Sequence, residues 1–391
     1  MTSAFSVGLS TLHDPMDAAR EAAGQARAGL GTLPATLVLV FATPEAALAG
    51  EILVEEVQIA LAPEVLLGAM GEAVIAAGRE IEGGPAVAVW AAHLPGAHIT
   101  PFQLEAHRTS EGLEVSGWPE QSAETPSDPI LLLADPFTFP ADALLGEVNA
   151  AETGAWVVGG LASGAARAGD HRLFYQGRVL DHGAVGAVLA GVRAVPVVSQ
   201  GCEPIGPEMV ITAGDGQVVE ELAGVPALDK LRSVVDDLDP RERDLASRGL
   251  LAGLVINENQ PDYERGDFLI RGIQGGDSDT GALVVGERIR VGQTLRFHVR
   301  DASSADDDLR LALRRASAGA LAAPAGGLVF SCNGRGTHMF PSPDHDAACI
   351  ENELDAIPAA GMFCNGEIGP VGGKSFLHGF TATMALFGSA E

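Results

Sequence analysis

Three stretches of the chain show the same order of apolar runs, and this internal repeat constrains the fold more than any other feature. Each stretch begins with an apolar run, continues through a helical segment to a second run with a glycine-rich end, and closes with a third run. The stretches span residues 37–92, 130–192 and 327–387. Repetition of strand and helix signals is typical of folds assembled from similar supersecondary units. We therefore predict a fold built from repeated β-α-β-β units.

Length and composition indicate a folded protein with more than one module. The 391 residues are 47% hydrophobic and 19% charged, which suits a chain with a large apolar core. We predict an α+β fold: two pseudo-related modules of mixed β-sheets flanked by helices, over residues 1–225 and 226–391. Helices are expected at 15–30, 227–248 and 305–318. The polar, proline-bearing stretch 105–129 is expected to be a loop or linker.

The net charge of −28 excludes several classes of partner. A field of that sign repels nucleic acids and anionic membrane surfaces, so we expect neither as a partner. No apolar run approaches the ~20 residues that span a bilayer, and the N-terminus lacks the pattern of a signal peptide. Four cysteines are too few for a secreted disulfide scaffold. The expected location is the reducing cytoplasm.

Two similar segments near the C-terminus predict a ligand site. FSCNGRG and FCNGEIGP each end an apolar run with a thiol, an amide, a glycine and a charged residue. Strand ends of this kind commonly bring side chains to a ligand, and an arginine with a carboxylate can bind a small polar molecule. The predicted ligand-binding residues are Cys332, Asn333, Arg335, Cys364, Asn365 and Glu367.

These residues also allow other interpretations. Cys332 and Cys364 could be small buried side chains, a thiol pair for redox chemistry or metal binding, or contain one nucleophile. Arg335 and Glu367 could form an internal ion pair that ties two turns together. No catalytic motif is present: Ser163 in GLASG is one position away from the spacing of a nucleophile elbow. We therefore predict no catalytic residue and no metal site.

The motifs FSCNGRG, FCNGEIGP and LHGFTATMALF resemble the C-terminal part of the FIST family of bacterial sensory domains. The earlier segments GLSTLHDP, LVLVFATPE and GREIEGGPAVAVWAAHLPG resemble its N-terminal module, so the resemblance covers nearly the whole chain. One departure is the turn at Ala69, Met70 and Gly71, where N-terminal modules often carry cysteine and serine.

The resemblance implies a small-ligand-binding sensory protein, with an amino acid or similar polar metabolite as ligand, that signals through a separate protein. An alternative is a haem-binding nitric-oxide sensor that regulates a histidine kinase, with His338, His378 or His182 as the axial ligand. A second alternative is an enzyme with a cysteine nucleophile. We expect a binding protein rather than an enzyme, and ligand binding is expected to alter a partner-binding surface.

Overall fold

The computed structural model describes residues 2–110, 112–119, 127–263, 266–319, 321 and 323–389. The helices are α1 (Pro15–Leu30), α2 (Pro44–Ala47), α3 (Gly50–Leu61), α4 (Ala141–Ala150), α5 (Ala227–Asp237), α6 (Pro240–Arg248), α7 (Ala302–Ala318) and α8 (His345–Glu353). The strands are β1 (Ala4–Ser10), β2 (Leu37–Ala42), β3 (Val65–Met70), β4 (Val74–Ala76), β5 (Arg79–Ile81), β6 (Val87–His93), β7 (His98–Thr109), β8 (Gly112–Ser116), β9 (Ile130–Ala134), β10 (Val157–Leu161), β11 (Leu173–Tyr175), β12 (Arg178–Leu180), β13 (Ala184–Ala190), β14 (Ala194–Ser199), β15 (Cys202–Asp215), β16 (Val218–Leu222), β17 (Val225–Pro226), β18 (Leu250–Val255), β19 (Phe268–Gly276), β20 (Leu283–Val285), β21 (Thr294–Arg300), β22 (Pro324–Cys332), β23 (Ala359–Cys364), β24 (Glu367–Val371), β25 (Lys374–His378) and β26 (Ala382–Gly388).

The chain divides into two compact units. The larger unit comprises residues 1–198 and 309–391, and the smaller unit comprises residues 199–308. Both contain mixed or antiparallel sheets with helices, which confirms the predicted α+β class. The units follow contacts within the folded chain, whereas the predicted module boundary at 225/226 follows the sequence. That boundary stays a prediction.

The larger unit contains all three predicted repeats. In each repeat the first and second strands are connected through a helical segment and pair in parallel. A third strand pairs antiparallel with the first. The resulting strand orders are β6-β2-β3, β13-β9-β10 and β26-β22-β23. The predicted β-α-β-β repeat is therefore confirmed.

A glycine occupies the same register position in the second strand of each repeat. These glycines are Gly68, Gly159 and Gly361, and they pair with Val40, Leu132 and Val329 of the first strands. An added Cβ would lie 2.0, 1.8 and 1.6 Å from the carbonyl oxygen of the respective partner. The backbone approach at this position leaves no room for a side chain, which explains why the sequence places glycine there three times.

The hairpin that follows each second strand pairs with the sheet of another repeat. Hairpin β4–β5 of repeat one extends the sheet of repeat three, through β23. Hairpin β11–β12 of repeat two extends the sheet of repeat one, and β24–β25 of repeat three extends that of repeat two. The exchange is cyclic, so the three repeats have pseudo-threefold connectivity.

The alternating side chains of the central strands supply two separate cores. Leu37, Leu39 and Phe41 of β2 belong to a core shared by all three sheets, together with Trp90 and Phe387. The intervening residues of β2 pack against α1 and α3 in a second core. This period-two division between cores is the expected behaviour of a strand buried on both faces. Helices α4 and α8 contribute to the corresponding outer cores of repeats two and three.

The smaller unit is a closed antiparallel barrel of six strands. Its order is β15-β21-β18-β19-β20-β16, and β15 pairs with β16 to close the ring. Helices α5 and α6 pack onto its apolar core. A capping box at Asp239 and Glu242 begins α6, so the helical stretch predicted at 227–248 forms the two helices α5 and α6.

One local prediction is wrong. The stretch 105–129 was expected to be a loop, but its first part completes β7 and contains β8. Strand β8 is exposed along almost its whole length, so it lacks the apolar run by which a buried strand is recognised in the sequence. Residues 111 and 120–126 of this stretch lie outside the described residues. Among the helices that the structure describes, none is long and apolar enough to cross a membrane.

Candidate functional site

The second strands of the three repeats end close together in the larger unit, and backbone hydrogen bonds link them. Ser163 N–H donates to Met70 O at 3.2 Å, which joins repeat two to repeat one. Asn365 N–H donates to Leu161 O at 3.1 Å, which joins repeat three to repeat two. Two of the three links around the pseudo-threefold centre are therefore direct backbone bonds.

The Ser163 hydroxyl completes the third link. It donates to Phe363 O at 2.6 Å and accepts from Glu72 N–H at 2.8 Å, so it bridges repeats three and one. Ser163 is 2% exposed. Although it is not in a nucleophile elbow, it has a specific structural role that sequence motifs do not report.

A cleft of about 680 Å³ opens at these strand ends. This volume lies within the range of small-molecule sites, about 300–1,000 Å³. The lining residues come from all three repeats and one hairpin turn: Pro44, Glu45, Glu72, Glu82, Gly83, Gly84, Ser163, Gly164, Ala165, Ala166, Asn333 and Asn365. Of the six predicted ligand-binding residues, Asn333 and Asn365 therefore line this cleft.

The ionisable side chains described in the cleft lining are all acidic. Among the described residues that line the cleft, the ionisable ones are Glu45, Glu72 and Glu82, and none is a lysine or an arginine. Glu82 accepts hydrogen bonds from the backbone N–H and the hydroxyl of Thr337, which holds one wall in place. Carboxylates and amides in a partly enclosed cleft favour a ligand that carries hydrogen-bond donors or positive charge.

Arg335 lies behind the cleft and is 1% exposed. Its Nε and Nη2 donate to the two carboxylate oxygens of Asp346, each at 2.8 Å. Its guanidinium carbon also lies 5.2 Å from the ring centroid of Phe340. The alternative interpretation was an ion pair between Arg335 and Glu367, but the ion pair of Arg335 is with Asp346. Arg335 Nη1 is buried and has no hydrogen-bond partner among the described residues.

Two acidic side chains lie at this ion pair: Asp346, which is part of it, and Glu80, which lies beside Asp346. Burial would raise the pKa of Asp346, but the guanidinium of Arg335 outweighs burial and holds the pKa well below its usual range. Glu80, on the exchanged hairpin β4–β5, accepts from Ala347 N–H at 2.9 Å. Burial and the charge of Asp346 raise the pKa of Glu80 to about 8. Glu80 is therefore predominantly protonated at neutral pH.

Glu367 begins hairpin β24–β25 and is fully buried. Its Oε2 accepts from the hydroxyl and the N–H of Thr381, at 2.7 and 3.1 Å. Its Oε1 has no hydrogen-bond partner in the described part of the chain. Burial raises the pKa of Glu367 to about 8, although the bonds from Thr381, the thiol of Cys332 and the charge of Arg335 act in the opposite direction.

The internal repeat shows that the fold does not require this glutamate. Glu367 pairs with Gly160 of β10, and the matching hairpin positions in the other repeats are Val74 and Leu173. Both of those apolar side chains are fully buried. A carboxyl group at a position that holds apolar residues elsewhere in the same chain keeps Glu367 a candidate site residue, and its role stays a prediction.

Cys332 and Cys364 are register partners at the ends of the parallel strands β22 and β23. Both are free thiols and both are buried. Burial and the nearby Glu367 raise the pKa of Cys332 to about 12, and the same causes raise the pKa of Cys364 well above its usual value. Both groups are protonated thiols at neutral pH, a state that does not favour a role as nucleophile.

The three predicted haem-ligand histidines lie away from the cleft lining. His378 is buried, and its Nε2 lies 2.9 Å from Gly369 O. His182 has its Nδ1 2.7 Å from Asp181 and its Nε2 3.8 Å from Glu105. His338 is exposed in the turn Gly336–His338. None of these three histidines is among the described residues that line the cleft, and the haem alternative stays a prediction.

Sequence reasoning missed a buried histidine–aspartate pair. His171 Nδ1 lies 2.7 Å from Asp135 Oδ1, both side chains are fully buried, and Phe137 stacks on the imidazole at 5.5 Å. The Thr138 hydroxyl donates to the other Asp135 oxygen at 2.5 Å. The pair anchors the loop that follows Ser163, and residues 164–166 of that loop line the cleft. Asp135 follows β9 as Thr43 follows β2, but this alignment does not identify His171 as its partner.

Two protein-family models match most of the chain. The model of the FIST N domain matches residues 36–225, and that of the FIST C domain matches residues 227–370. The chain belongs to the FIST family. FIST domains are recognised as sensory domains.

Three relatives illustrate the extent of this similarity. Uncharacterised FIST relatives of Mycobacterium tuberculosis strains CDC 1551 and H37Rv are each 47% identical over 97% of this chain and 98% of their own length. A relative of Mycobacterium bovis, also uncharacterised, is 46% identical over the same shares. A solved structure of Thermotoga maritima PurL complexed with ATP aligns over 99% of this chain and 72% of its own, at 10% identity. Its TM-score of 0.23 is too low to carry an argument.

Proposed function

We propose that this FIST protein is a small-ligand-binding sensory protein, with the cleft lined by Asn333 and Asn365 as the place where its ligand enters. The observation that carries this proposal is the convergence of three repeats on one cleft of about 680 Å³. A site built from three parts of a chain can change its geometry when a ligand contacts all of them. That property suits a sensor.

The chemistry of the cleft favours a small polar metabolite. Glu45 and Glu72 are exposed at its rim, and the amides of Asn333 and Asn365 supply both donors and acceptors. A ligand with an ammonium group would be attracted by the carboxylates, and amide groups would orient its remaining polar atoms. An amino acid or a similar molecule meets these requirements.

The signal would pass to a separate cytoplasmic protein, such as a histidine kinase. Ligand contact would restrain the turn at 82–84 and the loop at 163–166, which form opposing parts of the cleft lining. Restraint of these segments would change the surface that they present to a partner. The coupling depends on how differently the ligand binds the open and restrained states.

Native mass spectrometry of freshly purified protein, compared with the denatured mass, tests the proposal first. We expect an additional mass in the range of a small metabolite, or a metabolite that raises the melting temperature in a library screen. Calorimetric titration of that metabolite should give weaker binding for Glu72→Gln and Asn365→Ala. Glu147→Gln, an exposed change on α4, is the matched control and should bind normally.

Unchanged affinity in both cleft variants would overturn the assignment of the site. An additional mass that matches haem would overturn the proposal in favour of the gas-sensor alternative. The cysteine-dependent enzyme receives no support from the protonated, buried thiols, and we do not propose it.

A further inference from the structure

Among the residues that the structure describes, three buried polar atoms without hydrogen-bond partners belong to neighbouring residues behind the cleft. They are Arg335 Nη1, Glu367 Oε1 and Asn333 Oδ1. Arg335 and Glu367 influence each other electrostatically, and the thiol of Cys332 lies beside both. We call Cys332, Asn333, Arg335 and Glu367 the inner cluster. Each unsatisfied buried polar atom costs about 1–3 kcal/mol, so three such atoms on interacting and sequence-adjacent residues indicate an absent partner.

The hydrogen-bond pattern of Glu367 decides which of these atoms donate. Its Oε2 already accepts two bonds from Thr381, so the carboxyl proton is best placed on Oε1. Protonated Oε1 is then a donor, as is Arg335 Nη1, which bears a hydrogen that the Asp346 ion pair does not use. These two unused donors call for an oxygen acceptor, whereas Asn333 Oδ1 is itself an acceptor and calls for a donor, such as an N–H group of the same ligand.

We propose that the inner cluster is a second compartment of the ligand site, where Arg335 Nη1 and Glu367 Oε1 bind a carboxylate group of the ligand. This inference rests on the proposed function, because the carboxylate would enter through the cleft. Asn333 connects the two compartments: it lines the cleft, while its own side-chain oxygen is buried and faces no partner.

Charge compensation makes the compartment suitable for one anion. The Asp346 carboxylate neutralises Arg335, and Glu80 and Glu367 are predominantly protonated at neutral pH because burial raises their pKa values to about 8. An arriving carboxylate therefore meets donors and no unbalanced negative charge. A ligand that also carries an ammonium group would place that group among the glutamates of the cleft.

The comparison among repeats supplies a substitution that the fold should accept. Glu367→Val restores the residue type found at the matching position of repeat one, where Val74 is fully buried. It removes one donor of the proposed compartment without introducing a larger side chain. Glu367→Gln is the conservative partner, because its amide keeps a donor at this position.

Sodium acetate is the probe, with acetamide and ethylammonium chloride as comparators. We expect acetate to raise the melting temperature and to shift the infrared carbonyl band of the protonated Glu367 carboxyl. The band should be absent in Glu367→Val and Glu367→Gln. Loss of one charge-assisted hydrogen bond should weaken acetate binding roughly tenfold or more in Glu367→Val, and Glu367→Gln should retain most of it.

Three outcomes would overturn the inference. An unshifted Glu367 band at saturating acetate would mean that buried water, rather than a carboxylate, satisfies the cluster. A shift of the same size with acetamide would show that the site does not select a carboxylate. Equal acetate affinity in wild type and Glu367→Val would place the anion elsewhere.

The test separates this inference from the proposed function. If Glu72→Gln and Asn365→Ala weaken metabolite binding while Glu367→Val does not, the cleft is the ligand site and the inner compartment is wrong. If Glu367→Val alone weakens binding, the compartment stands, the cleft is only its entrance, and the assignment of Glu72 and Asn365 as ligand contacts fails.

Discussion

Glu367 faces His378 across hairpin β24–β25, at positions that hold Val74 and Ile81 in the hairpin of repeat one. The matching pair in repeat two is also apolar, with Leu173 opposite Leu180. One of three similar hairpins has thus exchanged an apolar pair for two ionisable residues. Glu367 also interacts with Cys332 and Arg335, so several buried polar side chains of repeat three are neighbours.

Glu367→Gln should change how stability depends on pH. The pKa of Glu367 is about 8 in the folded protein and 4.5 as a free group, so folding favours the protonated form. The contribution of the protonated Glu367 carboxyl to the stability of the folded protein is complete below pH 4.5 and is lost as pH rises towards 8. The variant should therefore gain stability relative to wild type between pH 5 and 8, by a few kcal/mol at most. Urea unfolding at pH 5 and pH 8 measures this gain. A constant difference between wild type and variant would contradict it, and Glu80→Gln should show the same trend.

Asp346→Ala should destabilise the larger unit strongly. It leaves the buried guanidinium of Arg335 without its carboxylate, a change that typically costs about 3–5 kcal/mol. The double variant Arg335→Met/Asp346→Leu should lose less, because it leaves no uncompensated charge in the interior. Urea midpoints of the single and double variants test the prediction. A double variant less stable than Asp346→Ala would contradict it.

Ser163→Ala should lower stability by about 1–3 kcal/mol, because it leaves the buried carbonyl of Phe363 without the hydroxyl that joins it to Glu72. Ser342→Ala, at an exposed position, is the matched control. Thermal unfolding measures both. If Ser163→Ala lowered the melting temperature no more than Ser342→Ala, the Ser163 hydroxyl bridge would not contribute to stability.

Asp135→Asn should destabilise the protein at neutral pH and less so in acid. Burial opposes the charge of Asp135, but the hydrogen bonds from His171 and Thr138 outweigh burial and lower its pKa below 3.8. Its contribution to stability is present above pH 3.8 and is lost as pH falls through the lowered value. Unfolding midpoints at pH 7 and pH 3 should therefore differ less for the variant than for wild type. Asp170→Asn, an exposed change nearby, should leave that pH dependence intact.

All four cysteines should react slowly in the folded protein. Cys202, Cys332, Cys349 and Cys364 are buried, and the raised pKa values of Cys332 and Cys364 leave little thiolate. A thiol-reactive chromogenic disulfide at pH 8 should titrate four groups only after denaturation. Rapid reaction of one group in the native protein would revive the cysteine-dependent alternative.

The sequence predicted the repeat well because the repeat is local. Apolar runs, helix caps and the glycine at Gly68, Gly159 and Gly361 all lie within short windows of each unit. The exchange of hairpins was not predictable in this way, because strand partners 100 or more residues apart leave no local pattern.

The site was predicted only in part for the same reason. Asn333 and Asn365 line the cleft, as the motif at the strand ends indicates. The partner of Arg335 could not be chosen from spacing, because Glu367 and Asp346 are both plausible carboxylates and only the packing of α8 selects Asp346. Hydrogen bonds such as that between His171 and Asp135 depend on tertiary contacts and need the folded structure.

The cyclic exchange of hairpins has a consequence for synthesis on the ribosome. The sheet of repeat one is complete once residue 180 has emerged, but the sheet of repeat two must wait for β24 and β25. Hairpin β4–β5, made early, must wait for β23 of repeat three before it has a partner. A growing chain therefore displays unpaired strand edges until its last third is translated, and a prematurely terminated chain is exposed to aggregation.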